Sequence, residues 1–206
     1  HHVFDRRTAM VRRAAGRSGA AQIVAANADR FLVVTSANGD LNPRRLERYL
    51  SAIWGSGAAP VVVLNKIDLV GAAAIDAMVA GIGAIAPGAP VVAVSAETSA
   101  GLDDLRGHLG PGLTVGLVGS SGVGKSSLVN CLLGRELQRA APIGDDDRGR
   151  HTTTRRELIP MAEGGVLIDT PGMRELGLVD DGGGIDASFA DIAALAEGCQ
   201  FRDCAH

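Results

Sequence analysis

Gly119-Ser-Ser-Gly-Val-Gly-Lys-Ser126 separates one glycine by four residues from a Gly-Lys-Ser triplet. That spacing suits a loop whose backbone amides wrap phosphate oxygens at the start of a helix. Gly119, Ser120, Ser121, Gly122, Val123 and Gly124 would line the cradle, with Ser127 beside them in the first helical turn. Lys125 would reach the β- and γ-phosphates, and the Ser126 hydroxyl would ligate magnesium. With 28 glycines in the chain a bare glycine-rich turn is the bland alternative. Lysine usage argues against it: of 20 basic residues only Lys66 and Lys125 are lysines, so those two positions call for a compact ammonium rather than a planar guanidinium.

Lys66 lies in the second group, Asn65-Lys66-Ile67-Asp68. The Asp68 carboxylate can accept from the N1–H and the 2-amino group of guanine, two charge-assisted bonds of roughly 1.5–3 kcal/mol each. Adenine has no such donor pair. Alone these four residues could form a surface turn; beside a phosphate loop they imply guanine selection. Ser95-Ala96-Glu97 would add a backbone amide to the guanine O6, with Ser95 and Ala96 as the contacts, although the tripeptide by itself is a weak signal.

Asp169-Thr-Pro-Gly172 has the switch II pattern: the carboxylate faces the water shell of the magnesium and the Gly172 amide the γ-phosphate. In Gly149-Arg-His-Thr-Thr-Thr154, Thr152 or Thr153 would supply a second hydroxyl to magnesium, against a solvated threonine-rich turn as the alternative. In GTPases of the ordinary order a glutamine after the switch II glycine orients the attacking water. Here that residue is Met173, which can neither donate a proton nor hold a water firmly. His151 is the candidate replacement, because an imidazole can orient or deprotonate water near neutral pH. A merely solvated histidine is the competing reading.

The elements that must carry these groups follow from periodicity. Residues 30–36 and 60–64 are continuous apolar runs, as parallel strands buried on both faces show. Between them Asn42 caps a helix, Pro43 occupies its first turn, Leu46, Leu50, Ile53 and Trp54 recur at helical spacing, and Gly55 and Gly57 end it. Further helices are expected over 72–84, 101–109, 126–133 and 185–197, and strands over 90–94, 113–118 and 166–168. Strands alternating with helices predict an α/β fold with a doubly wound, mostly parallel sheet. Residues 135–154 lose periodicity and hold Asp145, Asp146 and Asp147, which predicts a mobile loop.

Composition agrees with one main domain. The chain has 206 residues, 46% of them hydrophobic, with four Phe, one Tyr and one Trp, so the core is built from aliphatic residues. A net charge of −3 leaves no global footprint for nucleic acid, although Arg6, Arg7, Arg12, Arg13 and Arg17 make the first residues locally basic; a solvated segment explains them equally well. Three cysteines are too few and too uneven for a disulfide framework, and no apolar run approaches the roughly 18 residues of a membrane span. A cytoplasmic chain is expected from these features, with His1 and His2 as the remnant of a purification tag.

The motif order is unusual. The guanine motifs precede the phosphate loop and switch II comes last, whereas the ordinary order opens with the phosphate loop. Cutting a sheet protein after switch II and joining its old ends leaves a pocket built from strand ends intact. With QIVAANADRFLVV, PVVVLNKIDL, GLVGSSGVGKSSLVN, GRHTTT, LIDTPGMREL and CQFRDCAH, the chain resembles the circularly permuted GTPases of small ribosomal subunit biogenesis, the RsgA (YjeQ) family, over roughly residues 22–206. The resemblance implies a circularly permuted P-loop fold, GTP or GDP with magnesium, and hydrolysis stimulated by the small ribosomal subunit and its rRNA. It also implies a monomer with no membrane association.

It further implies one zinc ion in the full-length protein. Cys199, Cys204 and His206 would be three of its ligands, with a fourth beyond the chain end, and Cys131 would pack in the core. The expected division is residues 1–21 as a basic segment ending a missing OB-fold, 22–178 as the permuted GTPase domain, and 179–206 as the start of a truncated helical zinc-knuckle region. A GTP-dependent binding module with negligible turnover, or a permuted GTPase of large-subunit assembly, are the alternatives.

Overall fold

The computed structural model describes residues 5–13, 21–134, 157–162 and 164–169, and the side chains of residues 12, 13, 21, 157 and 169 lie outside that description. Its centre is a pair of parallel strands, β3 (Arg30–Ser36) and β4 (Ala59–Asn65), in register from Arg30 opposite Ala59 to Ser36 opposite Asn65. Successive residues of a strand point to opposite faces. Phe31, Val33, Val62 and Leu64 accordingly enter one core cluster, while Leu32, Val34, Val61 and Val63 enter another. Both faces are apolar because both are covered, which is why these strands read as unbroken runs.

The remaining elements extend outward from this pair. Helix α1 (Pro43–Gly55) follows β3: the Asn42 side chain accepts from the Arg45 amide at 3.1 Å, and Leu46, Tyr49, Leu50 and Ile53 are buried. After β4 come α2 (Ala72–Ile85), β5 (Val91–Ala93), the short α3 (Leu102–Arg106) and β6 (Thr114–Val118). Helix α4 (Lys125–Leu133) follows the glycine-rich turn. Strands β7 (Glu157–Pro160) and β8 (Val166–Asp169) complete the sheet.

The six-stranded order is β5-β4-β3-β6-β8-β7, with every pair parallel except β7 with β8. The chain winds outward from β3 through β4 to β5, then crosses to β6 on the other side of β3. The strand order therefore reverses between β3 and β6, and ligands of open α/β sheets bind outside the strand ends at such a point. Residues of α1 and α2 join the first cluster and residues of α3 and α4 the second, so the helices cover both faces.

Two features differ from the periodicity reading. β7 is an antiparallel edge strand with Leu158 68% exposed and Ile159 buried, too short and one-sided to show an alternating pattern. At the other end β1 (Ala9–Arg13) and β2 (Ala21–Ala26) form an antiparallel hairpin that crosses the boundary expected at residues 21 and 22. Met10 is 1% exposed and joins Val24, Ala25 and the α1 residues in the first cluster. Thr8 Oγ1 donates to the Ala28 carbonyl at 2.8 Å, tying the hairpin to the body. The strand expected over 90–94 and the helix expected over 101–109 are each shorter than their apolar patterns. The loops expected over 135–154 and the helix over 185–197 lie outside the described residues.

Gly116, in the middle of β6, is required by packing. It pairs with Phe31 of β3, and a Cβ there would lie 2.4 Å from the Phe31 ring, which is itself 1% exposed. Gly116→Ala is expected to cost about 1–3 kcal/mol through overpacking, read as a lower midpoint in thermal or urea denaturation. An unchanged midpoint would show that the ring can yield.

Candidate functional site

The turn from β6 into α4 is a loop that only glycine can make at its two ends. Gly119 has φ +146° and Gly124 has φ +94°. A Cβ at Gly119 would lie 2.2 Å from the Val34 carbonyl oxygen, and one at Gly124 would lie 2.3 Å from Asn65 Nδ2. The backbone is thus pressed against β3 on one side and against the β4 terminus on the other. Val123 is buried in the second core cluster, anchoring the loop from beneath. Such a loop, followed by the N-terminus of α4, offers converging amides to an anion.

Both lysines of the chain reach this loop. Lys125 Nζ donates to the Gly119 carbonyl at 2.7 Å and also to the Ser120 carbonyl. Lys66 Nζ donates to the Gly122 carbonyl at 2.7 Å, from a left-handed backbone with φ +62°. The scarcity of lysine therefore has a geometric reason: three rotatable donors on a compact head suit carbonyls at the rim of a narrow loop. Ser126 and Ser127 stand half-buried in the first turn of α4.

Asn65 joins the groups into one site. It is 1% exposed, its Nδ2 donates to the Val123 carbonyl at 2.8 Å, and its Oδ1 accepts from the Ala96 amide at 3.1 Å. One side chain thereby connects β4, the phosphate loop and the 95–98 turn. The Ala96 amide, expected to face guanine O6, is engaged by Asn65 in this arrangement.

Ser95 has a role that the sequence did not reveal. Its side chain is fully buried, its Oγ donates to Asp68 Oδ1 at 2.5 Å, and it accepts from the Thr98 amide at 3.1 Å. Asp68 itself is exposed. One carboxylate oxygen is thus held by the protein on a carboxylate that remains open to solvent, which fixes the direction in which it presents itself. Cys131 was also missed as a polar partner: its Sγ lies 3.1 Å from the Ala96 carbonyl oxygen. No sequence signal marks it, since the two residues are 35 positions apart.

Asp169 ends β8, beside β6, and its side chain lies outside the described set. His151, Thr152, Thr153, Gly172, Cys199, Cys204 and His206 also lie outside the described residues. Among the described residues no group of three or more His, Cys, Asp or Glu is placed to hold a metal ion, and no helix is long and apolar enough to cross a membrane. The glycine cradle and the directed Asp68 fit a guanine nucleotide: the cradle offers amides to phosphates and the carboxylate offers acceptors to the base.

Residues 3–179 match the RsgA GTPase family. The small ribosomal subunit biogenesis GTPase RsgA of Methanosarcina acetivorans is 48% identical over 206 residues, which is 100% of this chain and 55% of that protein. The protein of the same name from Streptomyces coelicolor is 49% identical over 205 residues, 98% of this chain and 56% of its own length. The chain therefore spans about half the length of the curated relatives it matches. Among solved structures, YjeQ from Thermotoga maritima superposes with a TM-score of 0.65 at 25% identity, over 87% of this chain and 57% of that one. YloQ, described as a circularly permuted GTPase, shares the fold with a TM-score of 0.67 at 22% identity, over 100% of this chain and 62% of that one.

Proposed function

The chain belongs to the RsgA GTPase family, and from that premise we propose that it hydrolyses GTP to GDP and phosphate as a switch in late maturation of the small ribosomal subunit. The observation that carries this reading is the Asn65 bridge, which links the glycine-rich loop at Val123 to Ala96, next to the Ser95 that holds Asp68. The names of the curated relatives supply the ribosomal context.

In this reading the amides of Gly119 to Lys125 hold the β- and γ-phosphates and Lys125 leaves the loop carbonyls for phosphate oxygens. Ser95 aims Asp68 at the N1–H and 2-amino edge of guanine. Magnesium would be held by Ser126, by Asp169 through water, and by Thr152 or Thr153, and it would offset the charge developing on the β–γ oxygens. A water oxygen attacks the γ-phosphorus as the bond to the β–γ bridging oxygen breaks. Since Met173 cannot orient that water, His151 does so when the small subunit is bound. The intrinsic rate is slow and the small subunit, through its rRNA, raises it. Cys199, Cys204 and His206 would be three ligands of a zinc ion, a reading supported by their spacing and by the family resemblance. The protein acts as a cytoplasmic monomer.

Single-turnover hydrolysis with and without purified small subunits tests the proposal. Wild type is expected to be slow alone and accelerated by small but not large subunits, and His151→Ala to lose about 10²-fold or more of the accelerated rate. Full acceleration in the variant would remove His151 from the mechanism. Absence of acceleration in wild type would favour a nucleotide-dependent binding module, the role that Met173 also suits.

A further inference from the structure

Ala96 is held from two directions. Its amide donates to Asn65 Oδ1 at 3.1 Å, and its carbonyl accepts from the Cys131 thiol at 3.1 Å. Asn65 ends β4, whereas Cys131 lies within α4, the helix that opens with Lys125. The carbonyl of Cys131 in turn accepts from Arg106 Nη2 of α3 at 3.3 Å, and Arg106 Nη1 is paired with Asp103 at 2.8 Å. The Cys131 side chain is only partly buried and packs at the margin of the second core cluster.

We infer that Cys131 is a positioning residue for base recognition: by holding the Ala96 carbonyl to α4, it sets the 95–98 turn at a fixed distance from the phosphate loop. The inference rests on the guanine-nucleotide reading above. The physical reason is that base and phosphates are covalently joined, so a site that binds both must hold its two halves at one spacing. Asn65 fixes the amide side of Ala96 from β4. The turn is closed on itself, the Ser95 amide donating to the Ala100 carbonyl at 2.9 Å and the Ser95 Oγ accepting from the Thr98 amide at 3.1 Å, so it shifts as one unit and carries Ser95 and its hold on Asp68 with it. The thiol fixes the other peptide of Ala96 to the helix that bears Lys125. A thiol is a weak donor, and the effect is correspondingly modest.

The test compares dissociation of two nucleotides from the full chain and from Cys131→Ala and Cys131→Ser. The nucleotides are GDP and the diphosphate of purine riboside, which lacks both the N1–H and the 2-amino group offered to Asp68. Cys131→Ala is expected to release GDP about threefold faster, the loss of one neutral hydrogen bond, while release of the purine riboside analogue stays near the wild-type rate. Cys131→Ser, which keeps a donor, is expected to restore most of the GDP residence time. Equal acceleration of both nucleotides, or a serine variant no better than alanine, would assign the thiol to packing alone and overturn the inference. A wild-type chain that binds GDP no better than ADP would instead overturn the guanine reading itself, and with it this role for Cys131.

Discussion

Asp68→Asn is expected to weaken GDP and GTP by about 10²-fold while raising affinity for xanthine nucleotides. The carboxylate is exposed, with one oxygen held by the buried Ser95 hydroxyl at 2.5 Å, so its direction is set by the protein before any base arrives. An amide can keep the Ser95 bond through its remaining oxygen. It then turns an NH2 group toward the base, where guanine also presents donors. One charge-assisted bond is lost and one donor is left unpaired, together about 3 kcal/mol, which corresponds to the stated factor. Xanthine carries an oxygen in place of the 2-amino group and accepts from the new amide. Titration with fluorescent guanine and xanthine nucleotides checks both halves of the expectation. Unaltered GTP affinity in a folded variant would remove Asp68 from base recognition.

Asn65→Ala is expected to damage stability and binding together. The side chain is 1% exposed and supplies the only described hydrogen bonds linking β4 to Val123 and to Ala96 through a side chain. Truncation leaves the Val123 carbonyl and the Ala96 amide without this partner in a buried setting, at about 1–3 kcal/mol for each group. A loss of about 3 kcal/mol in a domain of this size lowers the melting temperature by roughly 6–12 °C. Nucleotide affinity is expected to fall as well, because the phosphate loop and the 95–98 turn lose the side chain that bonds both directly. Calorimetry of the free chain gives the first effect and nucleotide titration the second. A melting temperature within a degree of wild type would show that the bridge contributes nothing. The contrast with Asp68→Asn is diagnostic, since the exposed carboxylate is expected to alter specificity with little change in melting.

The parts of this protein legible in its amino-acid order are those whose causes are local. A phosphate loop needs its glycines and lysine at fixed spacing within eight residues, so residues 119–126 announce it. β3 and β4 sit between two covered faces, and double burial writes an unbroken apolar run into each. Asn42 and Pro43 mark the start of α1 because a helix leaves its first amides unsatisfied whatever surrounds it.

Tertiary structure alone decided the rest. That Asn65 reaches Val123, 58 positions away, and that Cys131 reaches Ala96 depend on which strands become neighbours, and a single sequence carries no local trace of such pairings. Lys66 shows the division within one residue. Its rarity flagged a need for an ammonium, but only the left-handed backbone at that position and the approach of the phosphate loop determined which carbonyl it meets. The β1–β2 hairpin and the edge strand β7 escaped because each buries one face through only a few residues, too short for a period of two to stand out.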